Sequence, residues 1–191
     1  MLLLAACSPV HVVRSNQAKT YAGLTILGER RMEIVPANSA RGHFQTVTLA
    51  PVLLMPDVAA TLSPGVGDRL KAAVGSQLQR QIDRRLGRSG AGQSGTGLLL
   101  LVRITSVKEA SVGLNIATSV LVGPVSKGQL ALEIEAIDAS NGRQVALLLL
   151  ADKADMRDIR KSYTPDGHAK ALAGRFAIEA MEFIAPMVRS R

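Results

Sequence analysis

The strongest constraint on the fold is a single ridge of apolar residues. Val66, Leu70, Val74, Leu78, Ile82 and Leu86 recur at every fourth position. That spacing places them along one face of a long helix and obliges the face to lie against something apolar. Ser63 and Pro64 supply the start: a side-chain acceptor for the N-cap, and a residue whose missing N–H goes unused in a first turn. Gly87 supplies the stop. The predicted helix therefore lies between Ser63 and Gly87 and opens at Pro64. Its outer face carries Arg80, Arg84 and Arg85, which complement the helix dipole near its C-terminus.

A helix of this kind needs a sheet or a second helix to cover it, and both are foreshadowed. Residues 98–107 are almost continuously apolar, with Arg103 as the one charge, the pattern of a central strand covered on both faces. Leu130, Leu132, Ile134 and Ala136 alternate with Gln129, Ala131, Glu133 and Glu135. The alternation predicts a strand with one buried face and with Glu133 and Glu135 on the solvent side. A turn at residues 138–143, with Asn141-Gly142 at its centre, leads into an apolar return strand over 144–151. Thr164-Pro165-Asp166 repeats the cap-and-proline start, and Leu172, Phe176, Ala180, Phe183 and Met187 keep helical spacing up to Pro186. Ahead of the ridge, residues 44–54 read as a strand in which Pro51 marks a bulge or an edge. Leu24 to Leu27 could add one more short strand. The fold class is thus α+β: a two-layer sandwich with a mostly antiparallel sheet of about four to five strands and two amphipathic helices on one face.

The first residues, Met1-Leu2-Leu3-Leu4-Ala5-Ala6-Cys7-Ser8, resemble a bacterial lipobox. In such a box a signal peptidase cuts before a cysteine that already carries a diacylglyceryl group. Six residues precede Cys7, short of the apolar region of about 7–15 residues in a secretory signal, so 1–6 read as the remnant of a longer signal. Residues 7–41 hold scattered Pro, Gly, Asn and Ser without a sustained period and read as a lipidated tether. The single α+β domain is expected over 42–191. Ser8, where Asp would mark retention at the inner membrane, points to the outer membrane. The membrane partner would be reached through lipid on Cys7 alone, since no uncharged apolar run reaches the ~18–20 residues of a spanning helix.

Composition removes several function classes. Cys7 is the only cysteine, so no internal disulfide framework exists. The formal charge of +8 attracts polyanions. The five aromatic rings, however, are scattered and no nucleic-acid motif is present, so no nucleic-acid partner is expected. His11, His43 and His168 lie in separate segments without ligand spacing. Asp152, Asp155 and Asp158 lack the glycine and terminal glutamate of a calcium loop. The glycines of residues 89–97 follow a helix and precede a strand, the wrong order for a phosphate cradle. No cofactor, metal or catalytic residue is assigned. Glu133 and Glu135 could mimic an acid pair, but their expected place on a solvated face argues against it.

The strand ending in Ala50-Pro51, the helix from Ser63, the turn Ala136-Ile137-Asp138-Ala139-Ser140-Asn141-Gly142 and the lipobox together resemble the uncharacterised bacterial lipoproteins grouped as domain of unknown function 3313. The likeness covers roughly residues 44–186. It implies an outer-membrane lipoprotein without assigned chemistry. The expected role is a non-catalytic binding or scaffolding module of the envelope. Alternatives are an accessory lipoprotein of a transport system or, less in keeping with the residues, a hydrolase of wall or lipid. The contact with an envelope protein or lipid is expected along the apolar stretch 110–125, through Leu114 and Val120, with Arg80, Arg84 and Arg85 steering the approach.

Overall fold

The computed structural model describes residues 10–86, 96–108, 128–153 and 167–189. Cys7, Leu114 and Val120 lie outside the described residues. Among those described, the elements in chain order are β1 (Thr25–Gly28), β2 (Arg31–Ile34), β3 (Thr46–Leu49), β4 (Leu53–Leu54), α1 (Pro56–Ala59), α2 (Val66–Leu86), β5 (Gly97–Lys108), β6 (Gln129–Asp138), β7 (Gln144–Lys153) and α3 (Gly167–Ile184).

The strands form one seven-stranded sheet in the order β1-β2-β7-β6-β5-β3, with β4 also paired to β5. The α+β class agrees with expectation, while the sheet is larger than the four to five strands anticipated. The additional strands are short and sit at its margins. β1 and β2 form a hairpin inside the span read as tether and pair with β7, so the domain begins well before residue 42. β3 and β4 run parallel to β5, and α2 makes the crossover that a parallel pair needs. Between them Pro51 splits one edge strand into two. From Leu49 to Leu53 is four residues, while their partners Leu100 and Arg103 are three apart, so the proline sits in a one-residue slip at the sheet edge.

Helix α2 starts two positions later than the Ser-Pro signal suggests. Gly65 has φ +72, a left-handed conformation that cannot belong to the helix, so Ser63 to Gly65 form a turn and the helix begins at Val66. The ridge behaves as its spacing dictates. Leu70, Val74 and Leu78 are buried against Val102, Ile104, Leu132, Ile134, Leu148 and Leu150 from the sheet and Leu172 and Phe176 from α3; Ile82 is buried against Leu98, Ala136 and Ala146, and Val66 is buried as well. Both helices therefore cover one face. The β6–β7 turn is closed by Asp138, whose carboxylate accepts from Ser140 N and Oγ and from Asn141 Nδ2. Gly142, at φ +71, supplies the backbone reversal. These hydrogen bonds, from Ser140 first, hold the Asp138 carboxyl below the usual carboxylate range.

The opposite face of the sheet is covered as well, by the N-terminal segment. Residues 10–20 cross it from one end to the other. Val10 packs with Ala131 and Ala151, Ser15 reaches Glu133, Lys19 reaches Glu135, and Thr20 exchanges hydrogen bonds with Gln144. The segment read as a tether is part of the fold.

Candidate functional site: a buried ionic cluster and the sheet end beside Val10

Arg103, Glu133 and Glu135 are 5%, 0% and 0% exposed. The expectation that Glu133 and Glu135 face water is thus overturned. The alternation of β6 separates an apolar from a polar face, but the polar face meets Arg103 and the N-terminal segment instead of solvent. Register brings the three together: Arg103 lies opposite Glu133 on the neighbouring strand, and Leu101 opposite Glu135, so all three side chains share a face. Arg103 Nη1 donates to Glu133 Oε1 at 3.1 Å and Nη2 to Glu135 Oε2 at 2.9 Å.

The N-terminal segment completes the cluster from above. Glu133 accepts from Ser15 N at 3.0 Å, from Ser15 Oγ, and from Tyr21 Oη at 2.7 Å. Glu135 accepts from Lys19 N at 2.9 Å, and Gln17 O accepts from Arg103 Nη2 at 3.3 Å. Asn16 makes this possible locally. Its φ of 59 is one that asparagine tolerates better than most residues, and it turns the backbone between Ser15 and Gln17. Arg14 lies over the Tyr21 ring, 5.5 Å from its centroid, the geometry of a cation–π contact. Burial, reinforced by the neighbouring Glu133 carboxylate, raises the Tyr21 phenol above its ordinary pKa. Each carboxylate is thus spent on internal donors, and none of the described clefts is lined by either. Such an arrangement fastens one chain segment onto another. It does not present an acid pair to a substrate.

A cleft of about 800 Å³ opens where the N-terminal segment enters the body and is lined by Val10, Leu27, Arg30, Asp152, Phe176 and Glu179, among others. Asp152 lies between Arg30 Nη1 at 2.7 Å and Arg175 Nη2 at 3.3 Å. Arg31 pairs with Glu33 at 2.7 Å and Glu179 at 3.6 Å. Partial burial raises the Glu179 carboxyl despite the adjacent Arg31. Val12 N donates to Glu29 O at 3.0 Å, which joins the entering chain to the β1–β2 hairpin. No group of three or more metal-ligating side chains occurs among the described residues, and none of their helices is long and apolar enough to cross a membrane.

Of the residues singled out for partner contact, Leu114 and Val120 lie outside the described residues, while Arg80, Arg84 and Arg85 stand on the last turns of α2. β5 ends at Lys108 and β6 begins at Gln129, which pair with each other, and Gln129 also pairs with Lys153. The stretch holding Leu114 and Val120 is therefore rooted at the same sheet end as Val10. Arg80, Arg84 and Arg85 flank Ile82, which packs with Leu98, Ala136 and Ala146 at the opposite end. The two ends are roughly 30 Å apart, the length of a ten-residue strand. Arg85 is also paired with Glu182, at 3.7 Å. These arginines do not stand at the root of the stretch they were expected to serve. The residues missed by sequence reasoning are Ser15, Tyr21 and Arg103. Arg103 carried a readable signal, because a lone charge in a doubly covered strand needs a buried partner.

The family model for a protein of unknown function, DUF3313, matches residues 17–180. The chain belongs to this family. The match includes Gln17, Lys19 and Tyr21, so it takes in part of the segment that closes over the ionic cluster. Among solved structures the chain is similar to the PelC dodecamer from Paraburkholderia phytofirmans, with 13% identity over 84% of this chain and 97% of that one and a TM-score of 0.47. It is also similar to a hypothetical protein from Chlamydia trachomatis (13% identity, 72% and 95% covered, TM-score 0.46) and to a candidate lipoprotein from Caulobacter crescentus (9% identity, 78% and 96% covered, TM-score 0.40). Among curated proteins none matches.

Proposed function

We propose that this DUF3313 protein is a lipoprotein, carried by acyl groups on Cys7 at the periplasmic face of the outer membrane, and that it works there as a non-catalytic binding or scaffolding module. The observation that carries the reading is the path of the chain after the lipobox. Val10 is already buried in the body, three residues beyond Cys7, and three residues span at most about 11 Å. A lipid on Cys7 would hold the sheet end beside Val10 against the bilayer, not let the domain range on a long lead. The apolar stretch 110–125 leaves and re-enters the sheet at that same end, where it would meet a membrane-embedded or membrane-apposed partner. The Glu133–Glu135 carboxylate pair is committed to Arg103 and to the N-terminal segment, which favours binding over catalysis.

Several acyl chains together make anchoring durable, at about 0.8 kcal/mol per buried methylene. Cells supplied with an alkyne-bearing fatty acid should label the wild-type chain, expressed with a complete signal, and spare Cys7→Ala. Equal labelling of both overturns the anchor. Photocrosslinkers at Leu114 and Val120 should trap a defined envelope component in cells, and a failure to trap any removes the partner from this stretch.

A further inference from the structure

The geometry points to a second membrane contact that rests on the anchoring reading and goes beyond it: the β1–β2 hairpin lies on the phospholipid surface, with Leu27 and Ile26 entering the headgroup boundary. All four residues of β1 are exposed, including Ile26 at 66% and Leu27 at 56%. β1 is the outermost strand of the sheet. Exposed, apolar edge strands are ordinarily shortened, charged or covered. This one is short, yet it carries adjacent large apolar side chains with no charge between Thr25 and Gly28.

Three features identify what covers it. The first is proximity to the anchor. Leu27 and Val10 line the same cleft, and the Val12–Glu29 hydrogen bond fixes the incoming chain to the hairpin. With Cys7 three residues before Val10, a lipid there delivers the hairpin to the bilayer. The second is charge. Arg30, Lys108 and Lys153 are exposed at this sheet end, against one exposed carboxylate in the hairpin loop, Glu29, while Asp152 is drawn inward between two arginines. Cations near an anionic leaflet add attraction that falls off within a Debye length. The third is rigidity. The buried Arg103 cluster holds the N-terminal segment across the sheet, so that segment, the hairpin and the sheet end move as one body. The occupant is therefore an anionic phospholipid surface, and the β6–β7 turn at the other end of the sheet points away from it.

The test uses the full chain, lipidated on Cys7 in cells, carrying one added cysteine that is labelled after purification with a polarity-sensitive fluorophore. Leu27→Cys probes the hairpin and Asn141→Cys the distal turn. Both are reconstituted into vesicles of phosphatidylethanolamine and phosphatidylglycerol, with and without nitroxide-bearing lipid. The expected result is blue-shifted emission, quenched by the nitroxide, for the probe at position 27. The probe at 141 should show water-like, unquenched emission. Replacing phosphatidylglycerol by phosphatidylcholine should weaken the quenching at 27. Flotation of the vesicles reports the anchor separately. Chains that float while the probe at 27 behaves like that at 141 overturn the hairpin contact and leave the anchor standing. A dry but unquenched probe assigns the face to protein and also overturns the proposal. Failure to float overturns the anchor and this inference together.

Discussion

Arg103→Met should be among the most damaging single substitutions in the chain. The methionine keeps the length and apolar character of the arginine stem but removes both guanidinium contacts, to Glu133 and to Glu135. Glu133 would retain donors from Ser15 and Tyr21. Glu135 would be left, among the described residues, with Lys19 N. Breaking a buried ion pair from one side costs about 3–5 kcal/mol, because the remaining charge stays desolvated without its partner. For a domain of this size, at about 2–4 °C per kcal/mol, the expected fall in Tm is roughly 6–20 °C. Adding Glu135→Leu to Arg103→Met removes the orphaned charge, so the double variant should recover about 1–3 kcal/mol relative to the sum of the singles. Urea unfolding of the four members of the cycle measures both quantities. An Arg103→Met variant within about 0.5 kcal/mol of wild type, the range of ordinary surface changes, would refute a buried cluster.

Other consequences can be checked separately. Ile134→Asp should abolish cooperative unfolding, since it places an unpaired charge in the core shared by both helices; a cooperative melt would contradict the register. Glu135→Lys, neutral if the strand faced water, should instead lower Tm markedly by setting a second cation beside Arg103. The Tyr21 phenol titrates above its ordinary value, so its contribution to stability is complete below the unfolded pKa near 10 and declines as pH rises through the folded one. In a Tyr163→Phe background, where Tyr21 is the remaining tyrosine of a chain without tryptophan, absorbance at alkaline pH should show delayed ionisation that reverts on unfolding. Glu179 is raised by burial, so its ionisation opposes folding once pH exceeds the unfolded carboxylate value. Glu179→Gln should therefore raise Tm slightly at neutral pH and lose that advantage near pH 4.

The helix-side layer was legible because its signals are local and repeated. Every position of the ridge from Val66 to Ile82 is buried as the spacing requires, and the Asn141-Gly142 turn sits where its residue types place it. The start of α2 was misjudged by two residues because Gly65, not Pro64, decides where helical dihedrals can begin. The second face was misread for a different reason. Alternation in β6 reports that its two sides differ, but polar residues mark solvent or a buried ionic partner equally well. Choosing between them required knowing that residues 10–20 return across the sheet, and Ser15 and Glu133 are 118 residues apart in the chain. A segment rich in small and polar residues carries no periodicity to announce such a path, so it resembles a tether even when several side chains and amides are committed to the sheet. Arg103 alone could have warned of it, as a charge within an otherwise apolar strand.

Whether residues 10–20 are fastened to the sheet separates a folded segment from a free tether. Amide hydrogen exchange of the intact lipidated protein in vesicles measures this directly at Ser15 and Lys19, whose N–H groups donate to the buried carboxylates of Glu133 and Glu135. The structure predicts protection at both amides comparable to that of β6, and its loss in Arg103→Met under conditions where β6 itself stays protected. Exchange at both amides near the rate of an unstructured peptide in the wild-type protein would show a free tether, and would contradict the account.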